Sequence, residues 1–255
     1  MLIDTHTHLY SEQFENDIDE VVLRAKQNGI ERFYLPAIDH SYTDRMLVLE
    51  ANYPNEMFAM MGLHPCSVHS DTLEMEMAHV KEWIDKRPFK AIGEIGIDLY
   101  WEKAYLKEQQ DAFKLQIEWA KEKNLPIVIH CRDAFNEVFD VLEEVKDEKL
   151  FGIFHCFSGT KEDAQRAIDF NLKLGIGGVV TFKNGKIDQF LNDFDIKNIV
   201  LETDSPYLAP VPFRGKRNES SYLSYVCEKL VDIYRLTPTE IAEITTKNAL
   251  DIFER

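Results

Sequence analysis

Several features that would place a chain of 255 residues at sight are missing from this one. No run approaches the roughly 18 consecutive apolar residues of a membrane span, so nothing here is expected to cross a bilayer. The opening Met1-Leu2-Ile3-Asp4-Thr5-His6 lacks the basic start, apolar middle and small-residue cleavage site of a secretory signal, which makes the cytoplasm the default expectation. Cysteine is scarce. Cys66, Cys131, Cys156 and Cys227 form no Cys-x-x-Cys pair, which argues against a disulfide framework and a cysteine zinc knuckle alike. Reduced thiols are expected, with Cys131 and Cys156 turned by strand alternation away from whatever His130 and His155 face. Positive charge is short as well: 29 Lys and Arg against 45 Asp and Glu leave a formal charge of −16. Such a chain repels long nucleic acid, which argues against coating a duplex but not against a short phosphate-bearing end in a metal-neutralised pocket. There is no linker, low-complexity segment or composition break, so residues 1–255 read as a single domain.

What is present is a soluble, globular composition, 45% apolar, arranged as one unit repeated along the chain. A short apolar run is followed by a loop and then by a longer amphipathic stretch. The spacing predicts strands over 2–6, 30–35, 57–61, 91–95, 127–130, 152–155, 173–179 and 199–202. Helical patterns fall over 18–27, 43–51, 74–86, 106–123, 134–145, 161–170, 186–190 and 221–234. Gly29, Gly152 and Asn124-Leu125-Pro126 punctuate helix-to-strand transitions. Alternating β and α elements imply a parallel sheet, and eight units in this length suit the α/β class as a closed (β/α)8 TIM barrel. The rival, an open doubly wound sheet, lacks its glycine-rich loop, since His6-Thr7-His8 stands where that loop would follow the first strand. An additional C-terminal helix over 239–253, with Thr237-Pro238 as its start signal, is expected to pack outside the ring.

Six side chains sit where the apolar runs end: His6, His8, Glu94, His130, His155 and Asp204. A barrel brings its strand ends to one mouth, and imidazoles with carboxylates suit catalytic divalent metals. His6 and His8 are two residues apart, so extended backbone places both on one face together with Asp4.

Ile3-Asp4-Thr5-His6-Thr7-His8 resembles the opening motif of TatD-family deoxyribonucleases, within the amidohydrolase superfamily. Gly62-Leu63-His64-Pro65 and Gly93-Glu94-Ile95-Gly96-Ile97-Asp98 resemble that family's middle motifs. Leu201-Glu202-Thr203-Asp204-Ser205-Pro206-Tyr207-Leu208 and Arg214-Gly215-Lys216-Arg217-Asn218-Glu219 resemble its late ones, so the likeness spans nearly the whole chain. The resemblance implies two divalent metal ions (Zn, Mn or Mg), with His6, His8, Glu94 and Asp204 on one and Glu94, His130 and His155 on the other. Glu94 would bridge them, where many relatives in the superfamily use a carbamylated lysine. Lys90 precedes that strand and is no substitute.

The implied activity is metal-dependent hydrolysis of DNA ends, single-stranded and from the 3′ side, with Asp204 and Glu94 as the catalytic carboxylates. Asp204 is placed to take a proton from attacking water, and Arg214, Lys216 and Arg217 to grip phosphate, with His64 near the same mouth. Two-metal chemistry serves an acyl hydrolase equally well, so a D-aminoacyl-tRNA deacylase or a lactone or amide hydrolase is the alternative; a noncatalytic metal-binding scaffold is a third reading, against which the complete ligand set argues. Glu202 and Asp98 read as supporting residues. Tyr100 and Trp101 are suited to base stacking, though packing within their loop is the favoured expectation. His40, His69 and His79 are expected to be structural or exposed. No obligate partner is evident, and a closed barrel is expected to be monomeric.

Overall fold

Eight parallel strands alternate with helices in the computed structural model, which describes residues 1–255. The strands are β1 (Leu2–Asp4), β2 (Ile30–Leu35), β3 (Met57–Ala59), β4 (Ile92–Asp98), β5 (Ile127–Arg132), β6 (Gly152–Phe154), β7 (Leu172–Ile176) and β8 (Ile199–Leu201). The helices are α1 (Ile18–Gln27), α2 (His40–Asn52), α3 (Leu73–Lys86), α4 (Leu106–Lys123), α5 (Phe135–Val145), α6 (Lys161–Asp169), α7 (Leu223–Tyr234) and α8 (Pro238–Phe253). Strands β1 to β3 form one parallel run and β4 to β8 another. A bridge between Met61 and Ile92 joins the runs, and the Thr5 N–H donates to the Leu201 carbonyl at 3.0 Å. The ring therefore closes as a (β/α)8 barrel.

Strand alternation divides the apolar residues into two cores. Ile127, Ile129, Phe154, Leu174, Ile199 and Leu201 face outward into a large cluster shared with the helices. Ile3, Tyr34, Met60, Val128, Ile153 and Val200 form a separate, smaller cluster inside the ring. Two residues further along the same inner face come His130, His155 and Glu202, so the interior is sealed by hydrocarbon below and becomes polar towards the mouth.

The C-terminal helix starts as its sequence signals. The Thr237 hydroxyl accepts the Glu240 N–H at 3.2 Å, the Glu240 carboxylate accepts the Thr237 N–H at 2.8 Å, and Pro238 occupies the first turn. It flanks β8 and β1 from outside. Its last turn goes further than expected: Ala249, Ile252 and Phe253 join the inner cluster, with the Phe253 ring stacked 3.7 Å from that of Tyr34. The helix thus also seals the closed end of the barrel.

One expected helix is absent. Residues 186–190 do not form an α-helix; short 3-10 turns at Gly178–Thr181, Ile187–Gln189, Leu191–Asp193 and Ile196–Asn198 carry the chain from β7 to β8. The 187, 191, 194 spacing of buried residues is helical, but Lys186 has a φ of 60°, a left-handed conformation that a right-handed helix does not contain.

Candidate metal centre

The residues that close the apolar runs converge at the mouth, each delivered by a different device. Beyond β1 the backbone runs on under restraint: the Thr7 N–H donates to the Tyr34 carbonyl at 3.1 Å and the His8 N–H to that of Ser205 at 2.7 Å. Glu94 is carried on a bulge. The β4–β5 register shifts between Gly93 and Ile95, so one extra residue lies on the inner side and its carboxylate reaches the centre. Asp204 follows β8 in a left-handed conformation (φ 56°), its N–H donating to the His6 carbonyl at 2.9 Å.

The two oxygens of Glu94 face different sets of imidazoles. Oε2 lies 3.1 Å from His6 Nε2 and 3.7 Å from His8 Nε2. Oε1 lies 2.8 Å from His130 Nδ1, 3.5 Å from His64 Nε2 and 3.7 Å from His155 Nε2. Asp204 Oδ1 completes the first set at 3.4 Å from His8 Nε2 and 3.8 Å from His6 Nε2. His155 sits between the sets, its ring stacked 3.4 Å from that of His6 and its Nε2 3.9 Å from Asp204 Oδ1.

Outer partners decide which nitrogen of each ring faces inward. The Tyr10 hydroxyl donates to the Pro36 carbonyl and so accepts from His8 Nδ1 at 2.7 Å. Asp98 Oδ2 lies 2.9 Å from His130 Nε2, and Glu202 Oε1 lies 2.9 Å from His155 Nδ1. The Tyr10 and Asp98 acceptors hold the outer protons of His8 and His130 and leave each inner nitrogen's lone pair directed at carboxylates, whereas His155 Nδ1 sits close to Glu202 without a well-aligned hydrogen bond. His6 is fully buried, and neither ring nitrogen has a hydrogen-bond partner. Lone pairs facing carboxylates repel unless a cation lies between them, so this donor set fits divalent metal. His64 is built differently. Its Nδ1 accepts the Cys66 N–H at 3.0 Å, so the neutral ring carries its proton on Nε2 and presents a donor.

Without a metal, protons take the cations' place. Burial opposes protonation of His130, but the Asp98 and Glu94 carboxylates push it up to about 8. Burial likewise opposes protonation of His155, and Glu202 and Glu94 push it up to about 10. His6 is lowered by burial and by His155. Burial would raise Glu94 and Asp204, yet the surrounding histidines hold both below the ordinary carboxylate range.

Beneath the mouth a polar network fixes the first strand to the last. Asp4, wholly buried, accepts the Thr203 N–H at 2.9 Å and the hydroxyls of Thr203 and Ser220 at 2.6 and 2.7 Å. Burial raises its carboxyl to about 7 despite these bonds. Gly175 makes room for Glu202: a Cβ there would lie 2.3 Å from Glu202 Oε2.

Other residues depart from expectation. Arg217, expected to grip phosphate, is engaged by Asp17 at 2.8 Å and by the Gln13 carbonyl at 2.6 Å. Arg214 lies 3.7 Å over the Phe182 ring, and Lys216 is exposed 5.9 Å from that of Phe213. None of the three bonds to the histidine cluster, because the long loop after β8 folds back on Phe213, on Phe182 of the segment before β8 and on the segment before α1. Cys156 does not turn away. The strand ends at Phe154, a φ of 43° at Cys156 breaks the alternation, and the thiol lies within 4.8 Å of donor atoms of both His155 and Asp204. Trp101 meets the Tyr100 ring edge-on at 4.8 Å but is 68% exposed, so the expected packing within its loop is only partial. Tyr10 was not legible as a partner of the cluster, and Arg132 was not singled out. Nothing local marks Tyr10, whereas Arg132 shares the strand parity of His130. His40 pairs with Glu76, His79 bonds to Thr43 at 2.8 Å, and His69 lies edge-on to Tyr105, all as structural residues.

Comparison with known proteins gives the same picture along the whole chain. A family model described as TatD related DNase matches residues 3–254. The chain is 41% identical over 254 residues to YabD of Bacillus subtilis (strain 168), described as an uncharacterized metal-dependent hydrolase, covering 99% of each. It is 28% identical over 260 residues to the 3′-5′ ssDNA/RNA exonuclease TatD of Pectobacterium carotovorum subsp. carotovorum (strain PC1), again covering 99% of each. The crystal structure of YJJV, a TatD homolog from Escherichia coli K12, superposes with a TM-score of 0.92 at 28% identity, covering 100% of this chain and 98% of that one.

Proposed function

The chain belongs to the TatD-related DNase family, and from that premise we propose that this metal-dependent hydrolase is a 3′-5′ exonuclease on single-stranded DNA with a two-metal centre. The observation that carries the reading is the straddling Glu94 carboxylate, one oxygen towards His6 and His8 and the other towards His130 and His155. His6, His8, Glu94 and Asp204 would hold one ion, and Glu94, His130 and His155 the other. When bound, such a pair supplies positive charge for both the attacking and the leaving oxygen and a water of lowered pKa.

The chain's own residues do the rest. Asp204 is the one carboxylate of the centre that keeps some solvent contact, and the histidines hold it ionised, so it orients the attacking water and accepts its proton. As water attacks phosphorus, the P–O3′ bond breaks and the 3′ oxygen takes a proton. His64 Nε2, 3.2 Å from His130 Nδ1 and 3.5 Å from Glu94 Oε1, carries its proton at the same mouth; with those two atoms committed to metal it would be free to donate to a phosphate oxygen or to that leaving oxygen. Burial lowers the His64 imidazole, which keeps it neutral with its Nδ1 occupied. The apolar core below excludes water from the base of the site.

The test is digestion of 3′-labelled and 5′-labelled single-stranded DNA under zinc, manganese and magnesium in turn, with Asp204→Asn and Glu94→Ala as controls. Stepwise shortening from the 3′ end, abolished by both substitutions, is expected. DNA left intact under all three metals overturns the reading, and an aminoacyl ester digested in parallel shows whether the centre serves acyl transfer to water instead.

A further inference from the structure

Three aromatic side chains of this protein are exposed by more than half: Tyr100 at 51%, Trp101 at 68% and Tyr207 at 51%. All other Phe, Tyr and Trp rings are buried or half-buried. Single exposed apolar residues need no explanation, but all three lie on segments tied to the histidine cluster. Tyr100 and Trp101 follow the end of β4 at Asp98 with only Leu99 between, and the Tyr207 ring lies 6.0 Å from that of His8. The whole exposed aromatic complement therefore rims the histidine cluster.

A cation joins the first pair. Arg132 ends β5 in register with Asp98, two residues beyond His130, and is exposed. Its guanidinium lies 3.8 Å from the centroid of the Tyr100 ring and 5.4 Å from that of Trp101. No carboxylate pairs with it, whereas Arg24, Arg32, Arg45, Arg87 and Arg217 pair with acids; Arg166, Arg214 and Arg255 also lack an acid, but they lie over Phe139, Phe182 and Phe151, outside the loop that carries Tyr100 and Trp101. In a chain of net charge −16, an unpaired arginine held on aromatic faces beside the centre is an isolated attractor for an anion.

The position of this group is fixed relative to the chemistry. Asp98 is fully buried, and its Oδ1 accepts the N–H groups of Tyr100 and Trp101 at 2.9 and 2.8 Å. Its Oδ2 lies 2.9 Å from His130 Nε2. One carboxylate thus sets both the inner histidine and the aromatic loop.

We propose that Tyr100, Trp101 and Arg132 form a nucleotide subsite, in which the exposed indole face stacks an unpaired base next to the scissile bond and Arg132 takes the adjoining phosphate. The subsite rests on the exonuclease reading and gives it a selection rule. A base offers its face to Trp101 only when unpaired and splayed, so the subsite favours single strands over duplex ends. Sequence preference is weak, because every base has a π-face.

The test pairs Trp101→Ala and Trp101→Phe with a short oligothymidylate and with the same oligomer carrying abasic tetrahydrofuran residues at its 3′ end. Trp101→Ala is expected to raise KM roughly tenfold on the normal oligomer, with kcat held, and to leave the abasic oligomer unchanged. Trp101→Phe restores most of the loss. Arg132→Gln lowers the slope of log affinity against log salt by about 0.7, one phosphate contact on a single strand. Independently of turnover, the normal oligomer quenches the wild-type tryptophan emission and the abasic one does not. DNA that is cleaved with the same KM by wild type and Trp101→Ala overturns the subsite and leaves the exonuclease intact. An uncleaved oligomer overturns the exonuclease; the quench then retains the subsite if it persists and removes it if it is absent.

Discussion

Replacing Tyr10 by Phe removes one oxygen atom and isolates a single step of the argument. That oxygen accepts the His8 Nδ1 proton at 2.7 Å while donating to the Pro36 carbonyl, and Tyr10 itself is buried against the barrel wall. Without it, nothing holds the His8 proton on the outer nitrogen. The proton is then better placed on Nε2, between Asp204 Oδ1 at 3.4 Å and Glu94 Oε2 at 3.7 Å, where two carboxylates attract it. The inward lone pair is lost, and a metal must displace a stabilised proton to regain it. Removing an outer partner of this kind weakens metal affinity by about 10–100-fold, or roughly 1.4–2.7 kcal/mol. The orphaned Pro36 carbonyl costs about 1–3 kcal/mol of stability, within what a folded domain of 5–15 kcal/mol tolerates. Asp98→Asn is the matching perturbation on the other side, since it weakens the acceptor that orients His130. Stepwise metal titration against a competing chelator reads both variants. Tyr10→Phe is expected to weaken one binding step and Asp98→Asn the other. Unchanged affinity in both, or the same step weakened in both, refutes the division of the centre between the two oxygens of Glu94.

Chelator-treated protein is expected to lose stability as pH rises from 6.5 towards 10. His130 and His155 have pKa values raised to about 8 and about 10 in the fold, so their contribution is complete below the unfolded value of 6.5 and disappears through those folded values. Thermal melts across that range check it: a Tm that stays level or rises contradicts the assignment, and metal loading flattens the decline because cations replace the protons. Phe253→Ala removes the ring stacked on Tyr34 beneath the barrel and is expected to cost about 3–5 kcal/mol, measured by urea unfolding. A cost below about 1 kcal/mol would mean that the last turn of α8 does not seal the barrel.

The barrel was legible because its strands and helices follow two different periods, and seven of the eight helices expected before α8 form where apolar spacing places them. The exception, 186–190, failed because spacing reports which residues seek the core and not whether the backbone winds right-handed to bring them there. The convergence of His6, His8, Glu94, His130, His155 and Asp204 was legible from strand ends, but the bulge that turns Glu94 inward was not, since it is a property of two strands in register. Partners distant in sequence were equally invisible. Arg217 reads as a phosphate ligand until Asp17 is found against it, and Tyr10 reads as an ordinary aromatic until His8 and Pro36 meet its hydroxyl. Cys156 misled because alternation was extended past the end of a strand.

The buried network under the mouth also sets an order of events during synthesis. Asp4 finds its partner Thr203 across 199 residues, and at roughly 5–20 residues per second the ribosome takes about 10–40 s to bring the second after the first. Throughout that interval His6 and His8 are a bare imidazole pair on a nascent chain, without Asp204 beside them or Ser220 beneath. Any ion they pick up then is chosen by the loose preferences of two histidines and the metals at hand. The full set of donors that would choose among metals is complete only after β8 has closed the ring, so the first ion bound need not be the one the finished site would retain.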